Sequence, residues 1–144
     1  MATSFTQFKG YGFWAADHFV EGLAFLLAWE YGRIGVSSPK QAAAVAHWNL
    51  QATVGFAGHV SLDLDTHCGG TPADHACLST ALHHIAVSID VQNQHLTLTE
   101  MRAGTCFIPA DFESPIDYAR VVELAIALVD GQLKTNAASP IDYW

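Results

Sequence analysis

The sequence of 144 residues predicts a mainly α-helical single domain, residues 1–144, in which about four helices pack with one small β element. Three observations support this prediction. Short hydroxyl–proline tetrapeptides mark helix starts, apolar residues recur at helical spacing after them, and two brief segments alternate apolar and polar side chains. An α+β fold, in which a short antiparallel sheet packs with helices, is the alternative.

The first predicted helix covers about residues 13–31 and ends at Gly32 or Gly35, since glycine is common just beyond a helix C-terminus. Its apolar residues surround most of the helix, which predicts burial on nearly every side or at an interface between copies of the chain. Its aromatic residues include Phe13, Trp14, Phe19, Phe25 and Trp29.

Four of the five prolines stand in one local pattern, in which a hydroxyl residue precedes proline and an acid or amide lies three positions after the hydroxyl. At a helix start the hydroxyl accepts a hydrogen bond from the third backbone N–H, and proline at the first position loses no helical hydrogen bond. The acid or amide can reach back to the N-cap N–H. Helix starts are therefore predicted at Ser38-Pro39, Thr71-Pro72, Ser114-Pro115 and Ser139-Pro140.

The residues after the first three starts have the apolar spacing of amphipathic helices. The third segment also has Gly131 where a C-terminal glycine belongs. The chain after Ser139 is long enough only for a single turn or a docked tail, so the repeated SPIDY sequence reflects reuse of a helix start. The predicted buried positions are Val45, Trp48, Ala52 and Phe56; Leu78, Leu82, Ile85 and Ile89; and Tyr118, Val121, Val122, Ala125, Leu128 and Val129.

The small β element is predicted from two segments with a period of two. Val60, Leu62 and Leu64 alternate with polar residues, and Leu96 and Leu98 do the same. This alternation is typical of a strand with one buried face.

The chain is acidic and apolar, with a net charge of −8, 51% hydrophobic residues and 14% charged residues. Its hydrophobic content excludes intrinsic disorder. Its few cations oppose binding to nucleic acid or to anionic lipid. So few charges leave apolar surface uncovered, which favours a surface for a partner or for self-association.

The sequence predicts a cytoplasmic location. The start of the chain has no basic segment followed by an apolar one, so no secretion signal is predicted. Asp17, His18 and Glu21 interrupt the apolar stretch of residues 13–29, which argues against a membrane span. Three cysteines without paired spacing favour free thiols in a reducing compartment.

Candidate metal ligands occur close together at His67, Cys68, His75 and Cys77. Imidazole and thiolate groups suit zinc. Their spacing differs from that of the common zinc knuckles, and two of them stand two residues apart on a predicted helix, facing different directions. No metal and no cofactor is therefore favoured.

Asp17, His18 and Glu21 share one face of the first predicted helix. In a pocket these side chains can support acid–base chemistry, which makes them the pocket candidates if the protein is an enzyme. The alternative is the solvent-exposed stripe of an amphipathic helix. The sequence contains no nucleophile elbow, phosphate loop, dinucleotide fingerprint or H-E-x-x-H motif, and catalysis is not favoured.

Histidine is concentrated in residues 41–101, which contain seven of the eight histidines and no lysine or arginine. Because histidine changes charge at mildly acidic pH, this region suggests an association that depends on pH. The alternative is a scatter of unrelated core and surface histidines. The adjacent His83 and His84 point in two directions from their predicted helix.

The leading functional hypothesis is a small acidic protein-binding protein without catalysis. Its partner is expected to be basic, as a bacterial toxin neutralised by an immunity-type inhibitor can be, although only size and composition support that analogy. The carboxylates expected to pair with lysine or arginine of the partner are Asp63, Asp65, Asp111 and Glu113.

Two other classes of function stay open. One is a small enzyme or ligand-binding protein with a pocket of aromatic, histidine and aspartate side chains. The other is a structural homo-oligomer, such as a homodimer, that buries Trp14 and Trp29 in a symmetric contact.

Overall fold

The structure is a computed structural model that describes residues 2–53, 58–89 and 118–138. The described part contains a two-stranded sheet and five helices, which confirms a mainly helical fold with a small β element. In chain order the elements are β1 (Thr3–Phe8), β2 (Tyr11–Ala16), α1 (Asp17–Ile34), α2 (Pro39–Thr53), α3 (Leu64–Cys68), α4 (Pro72–Ser88) and α5 (Ala119–Val129). None of these helices is long and apolar enough to cross a bilayer.

The β element is an N-terminal hairpin in which β1 and β2 pair antiparallel, with Phe8 opposite Tyr11. Lys9 and Gly10 form the turn with φ angles of 50° and 86°, and two positive φ angles match the twist of a two-residue hairpin. The predicted helix over residues 13–31 was therefore wrong at its start, because residues 13–16 belong to β2. Local spacing could not reveal that β1 supplies a hydrogen-bonding partner for this apolar stretch.

The alternation at Val60, Leu62 and Leu64 predicted burial correctly, since all three side chains are at most 2% exposed. The prediction of a strand there was wrong, because α3 begins at Leu64 and the preceding residues form an extended segment without a ladder partner in the described part of the chain. Trp48 instead donates its indole N–H to the Leu62 carbonyl at 2.8 Å. The predicted strand at residues 96–99 lies outside the described residues.

Two of the predicted helix starts are confirmed by their caps. The Ser38 hydroxyl accepts the Gln41 N–H at 3.2 Å, and the Thr71 hydroxyl accepts the Asp74 N–H at 3.1 Å. The starts at Ser114 and Ser139 lie outside the described residues. Gly131 follows α5 with a φ of 77°, as predicted for a C-terminal glycine.

Helix α1 is the central element, and it contacts both strands, α2, α4 and α5. Burial of ten of its residues confirms that it is enclosed on nearly every side. Gly22 permits the closest approach, because a Cβ there would stand 2.0 Å from the ring of Tyr118. The predicted apolar stripes of α4 and α5 are buried against this core.

The two edges of the hairpin differ in their surroundings. Along β2, the Gly12 N–H donates to the Thr135 carbonyl at 2.9 Å, and the Thr135 hydroxyl donates to the Gly12 carbonyl at 2.6 Å. Further along β2, the indole of Trp14 donates to the Ala137 carbonyl at 3.1 Å. Thr135 therefore bonds the outer edge of β2 at Gly12, and Ala137 lies beside the Trp14 side chain, while the outer edge of β1 faces the extended segment before α3.

Candidate functional site

A groove of about 270 Å³ lies between β1 and residues 61–65. Phe5 and Gln7 line it on the strand side, and its walls are mainly polar. The groove lies where the sequence predicted partner-binding carboxylates, since Asp63 and Asp65 line it from the opposite side.

Two hydrogen bonds hold the extended segment and the start of α3 beside β1. The Val60 N–H donates to the hydroxyl of Ser4 at 2.9 Å, and the Lys9 N–H donates to a carboxylate oxygen of Asp65 at 2.8 Å. Val60 thus lies beside the start of β1, and Asp65 lies beside its end. The segment therefore runs in the same direction as β1.

Asp63 stands at the turn from the extended segment into α3, with φ 47° and ψ 47°. Aspartate tolerates this left-handed conformation better than most residues. The sharp turn leaves Asp63 exposed at the rim of the groove, two residues from the exposed Asp65. The structure thus brings together two of the four predicted partner-binding residues, while Asp111 and Glu113 lie outside the described residues.

Helix α2 fixes the outer side of the extended segment. Ser61 donates its N–H to the Gln51 side chain at 2.9 Å, and the His47 ring contacts the Ser61 carbonyl at 2.8 Å. The His67 ring lies 5.0 Å from the ring of His47. Burial, followed by the neighbouring His47, lowers the pKa of His67.

Of the two described cysteines, Cys68 is buried and Cys77 is half-buried. Cys68 lies 3.7 Å from the hydroxyl of Tyr31, and Cys77 accepts the side-chain N–H of Gln41 at 3.6 Å. Burial raises the pKa of the Cys68 thiol to about 11 and the pKa of Tyr31 well above its ordinary range. A thiol with a raised pKa is a poor nucleophile at neutral pH.

The four candidate metal ligands point to different surroundings. His67 packs against His47, whereas the His75 ring contacts the Val129 carbonyl at 2.8 Å. Cys68 and Cys77 interact with Tyr31 and Gln41 as described above. Within residues 2–53, 58–89 and 118–138, no three histidine, cysteine or acidic side chains converge as a metal site.

Asp17 braces the hairpin and does not line the groove. One carboxylate oxygen accepts the Ser4 hydroxyl at 2.6 Å, and the other accepts the Gly58 N–H at 2.7 Å. His18 stacks beside Phe19 with 4.1 Å between ring centroids. Asp17, His18 and Glu21 are all half-buried, and none of them lines the groove between β1 and residues 61–65.

The sequence interpretation missed a buried ionic cluster at Glu30. This carboxylate is 0% exposed and accepts both the Nε–H and an Nη–H of Arg33, at 3.0 and 2.7 Å. His84 contacts the same carboxylate at 3.1 Å, whereas His83 contacts Asp130 on the other side of α4 at 3.1 Å. The spacing of Glu30 and Arg33 was the available signal, but spacing does not reveal burial.

No known family model matches the chain, and comparisons with curated proteins and with solved structures find no significant similarity.

Proposed function

We propose that this chain is a protein-binding protein without catalysis of its own, which binds a basic partner through the groove between β1 and residues 61–65. The observation that carries the proposal is the pair of exposed carboxylates, Asp63 and Asp65, on a groove whose walls are mainly polar. Two neighbouring exposed carboxylates suit a lysine or arginine side chain, because each can accept charge-assisted hydrogen bonds from the cation.

The local geometry favours these carboxylates as a preformed acceptor. The Lys9 N–H orients the carboxylate of Asp65, and the left-handed backbone fixes the position of Asp63. A binding group that is already in place loses little conformational entropy when the partner arrives.

The charge of the whole chain supports the same class of partner. Fourteen acidic residues stand against six basic ones, and the net charge is −8. Such a field accelerates encounter with a basic protein and disfavours acidic ones. An immunity-type inhibitor that covers a basic bacterial toxin is one protein of this kind.

The test compares Asp63→Asn, Asp65→Asn and the double variant with the wild type. Asparagine keeps the size, keeps an acceptor for the Lys9 N–H and tolerates the left-handed backbone. Glu123→Gln is the matched control, because it removes an exposed charge from α5 at a side chain that is 63% exposed.

The tagged proteins are used to isolate partners from the native host, and association is then measured at 50 and 200 mM salt with the purified partner. We expect a basic partner whose association rate falls at least about tenfold in the double variant and loses part of its salt dependence. Glu123→Gln should associate like the wild type. Equal association rates for the double variant and the wild type would overturn the proposal.

A further inference from the structure

The backbone of β1 presents hydrogen-bonding groups to the groove. The Gly12 N–H donates outward to Thr135, so Gly12 and the opposite residue, Gln7, form a pair without mutual hydrogen bonds. Such pairs alternate along an antiparallel ladder, so the pair of Phe5 and Trp14 has the same geometry. The N–H and C=O groups of Phe5 and Gln7 therefore point away from β2.

Within the described parts of the chain, no group forms a hydrogen bond with these four backbone groups. Phe5 and Gln7 both line the groove, whereas on β2 the backbone N–H and C=O of Gly12 are both bonded to Thr135. Among residues 2–53, 58–89 and 118–138, the outer edge of β2 is thus bonded at Gly12, and the outer edge of β1 opens into a polar groove. An open strand edge is a template for a further strand.

We propose that a short extended, basic segment of the partner adds to β1 as a third strand, with its backbone bonded to Phe5 and Gln7. This inference rests on the proposed function and names the form of the ligand. The contacts at Ser4 and Lys9 limit the groove to five residue steps, or roughly 17 Å of extended chain. A segment of about five residues fills that length, with its cationic side chains near Asp63 and Asp65.

Charge selects a basic segment over a second copy of this chain. Edge-to-edge pairing of two copies would bring the Asp63 and Asp65 carboxylates of both copies together, in molecules that each have a net charge of −8. Charged residues beside an open edge are a common protection against such self-pairing. A basic segment converts the same carboxylates into attractive contacts.

The probe is the acetylated and amidated peptide Arg-Val-Arg-Val-Arg, titrated into the full chain by calorimetry and by amide NMR. A peptide strand bonds through the N–H groups of alternate residues only. Two derivatives are therefore compared, one N-methylated at both valines and one at all three arginines. We expect one derivative to bind at least tenfold more weakly than the parent peptide, and the other to bind within about threefold of it.

A pair of protein variants tests the same bond from the other side. Gln7→Pro removes an N–H that points away from β2, so the hairpin ladder is retained, whereas Gln7→Ala keeps that N–H and removes the side chain. Gln7→Pro should lose at least about fivefold in affinity for the parent peptide, and Gln7→Ala should stay within twofold. The amides of Phe5 and Gln7 should become protected from hydrogen exchange in the complex.

The outcomes separate the two proposals. Equal affinity of the parent peptide and both N-methylated peptides overturns strand addition, but weakening by the Asp63→Asn, Asp65→Asn double variant would still support an acidic binding groove. If N-methylation weakens the peptide's affinity but the Asp63→Asn, Asp65→Asn double variant does not, the result supports strand addition and overturns the role of charge. No binding at millimolar peptide overturns strand addition. A dimer of the free chain that Gln7→Pro dissociates would assign the edge to a second copy and also overturn it.

Discussion

Replacing Arg33 with alanine tests whether the buried carboxylate of Glu30 depends on its ionic partner. Glu30 is 0% exposed, and Arg33 supplies two of the three hydrogen bonds described above. Removing one partner of a buried ion pair costs about 3–5 kcal/mol, because the other charge is left without compensation. His84 remains in contact, and the half-exposed site of Arg33 admits water, so we expect a loss of about 2–3 kcal/mol.

Urea unfolding followed by tryptophan fluorescence and circular dichroism measures this change in the free energy of unfolding. At this chain length it corresponds to a fall in Tm of roughly 6–12 °C. Glu123→Ala is the control, since it breaks the Arg120–Glu123 pair at the same spacing but with a partner that is 63% exposed. Exposed pairs contribute up to about 1 kcal/mol.

A double variant completes the cycle. Glu30→Leu combined with Arg33→Ala removes both charges, and well-packed apolar replacements of buried pairs are often close to neutral. We expect the double variant to recover at least half of the stability that Arg33→Ala loses. If Arg33→Ala lowers the free energy of unfolding no more than Glu123→Ala does, the buried carboxylate of Glu30 does not depend on Arg33.

Three further predictions concern other parts of the fold. Gly22→Ala should destabilise by at least about 2 kcal/mol, because its Cβ would overlap the Tyr118 ring, and thermal unfolding measures the loss. Thr71→Ala should cost about 1 kcal/mol in urea unfolding through loss of the α4 cap, and Thr71→Ser should restore it. The pKa of His67 is lowered in the folded chain, so below about pH 6.5 the unfolded chain binds a proton at His67 before the folded chain does. Stability from this residue is therefore complete above that pH and decreases as the pH falls, so His67→Gln should flatten the decline between pH 7 and 5, and an unchanged slope would contradict this assignment.

Helix starts and buried stripes could be predicted from the sequence because both depend on neighbouring residues. The caps of α2 and α4 need only a hydroxyl and a backbone N–H three residues later, as at Thr71 and Asp74. The buried stripe of α4 follows from the helical repeat, which places Leu78 and Leu82 on one face. Such features depend little on how distant parts of the chain meet.

The hairpin and the ionic cluster could not be predicted because both depend on distant partners. Phe13 looks helical until β1 is known to pair with it, and Glu30 looks like a surface residue until α4 brings His84 against it. The same limit applies to Asp17, whose carboxylate joins residues 13 and 41 positions away. Its proximity to His18 and Glu21 in sequence could not reveal that Ser4 and Gly58 are its hydrogen-bond partners.

The groove is a consequence of how the hairpin is anchored. The Asp17 carboxylate accepts the Ser4 hydroxyl, and that hydroxyl accepts the Val60 N–H, so one relay ties the start of α1 to β1 and to the extended segment. Because these bonds use side-chain oxygens, they hold the segment beside β1 without pairing it to the strand. Among the described residues, no hydrogen bond from this segment reaches the backbone N–H and C=O groups of Phe5 and Gln7, and burial of Val60 and Leu62 keeps the opposite wall of the groove in position. A ladder of backbone hydrogen bonds between β1 and the extended segment would hold the two together more tightly, and it would remove the groove.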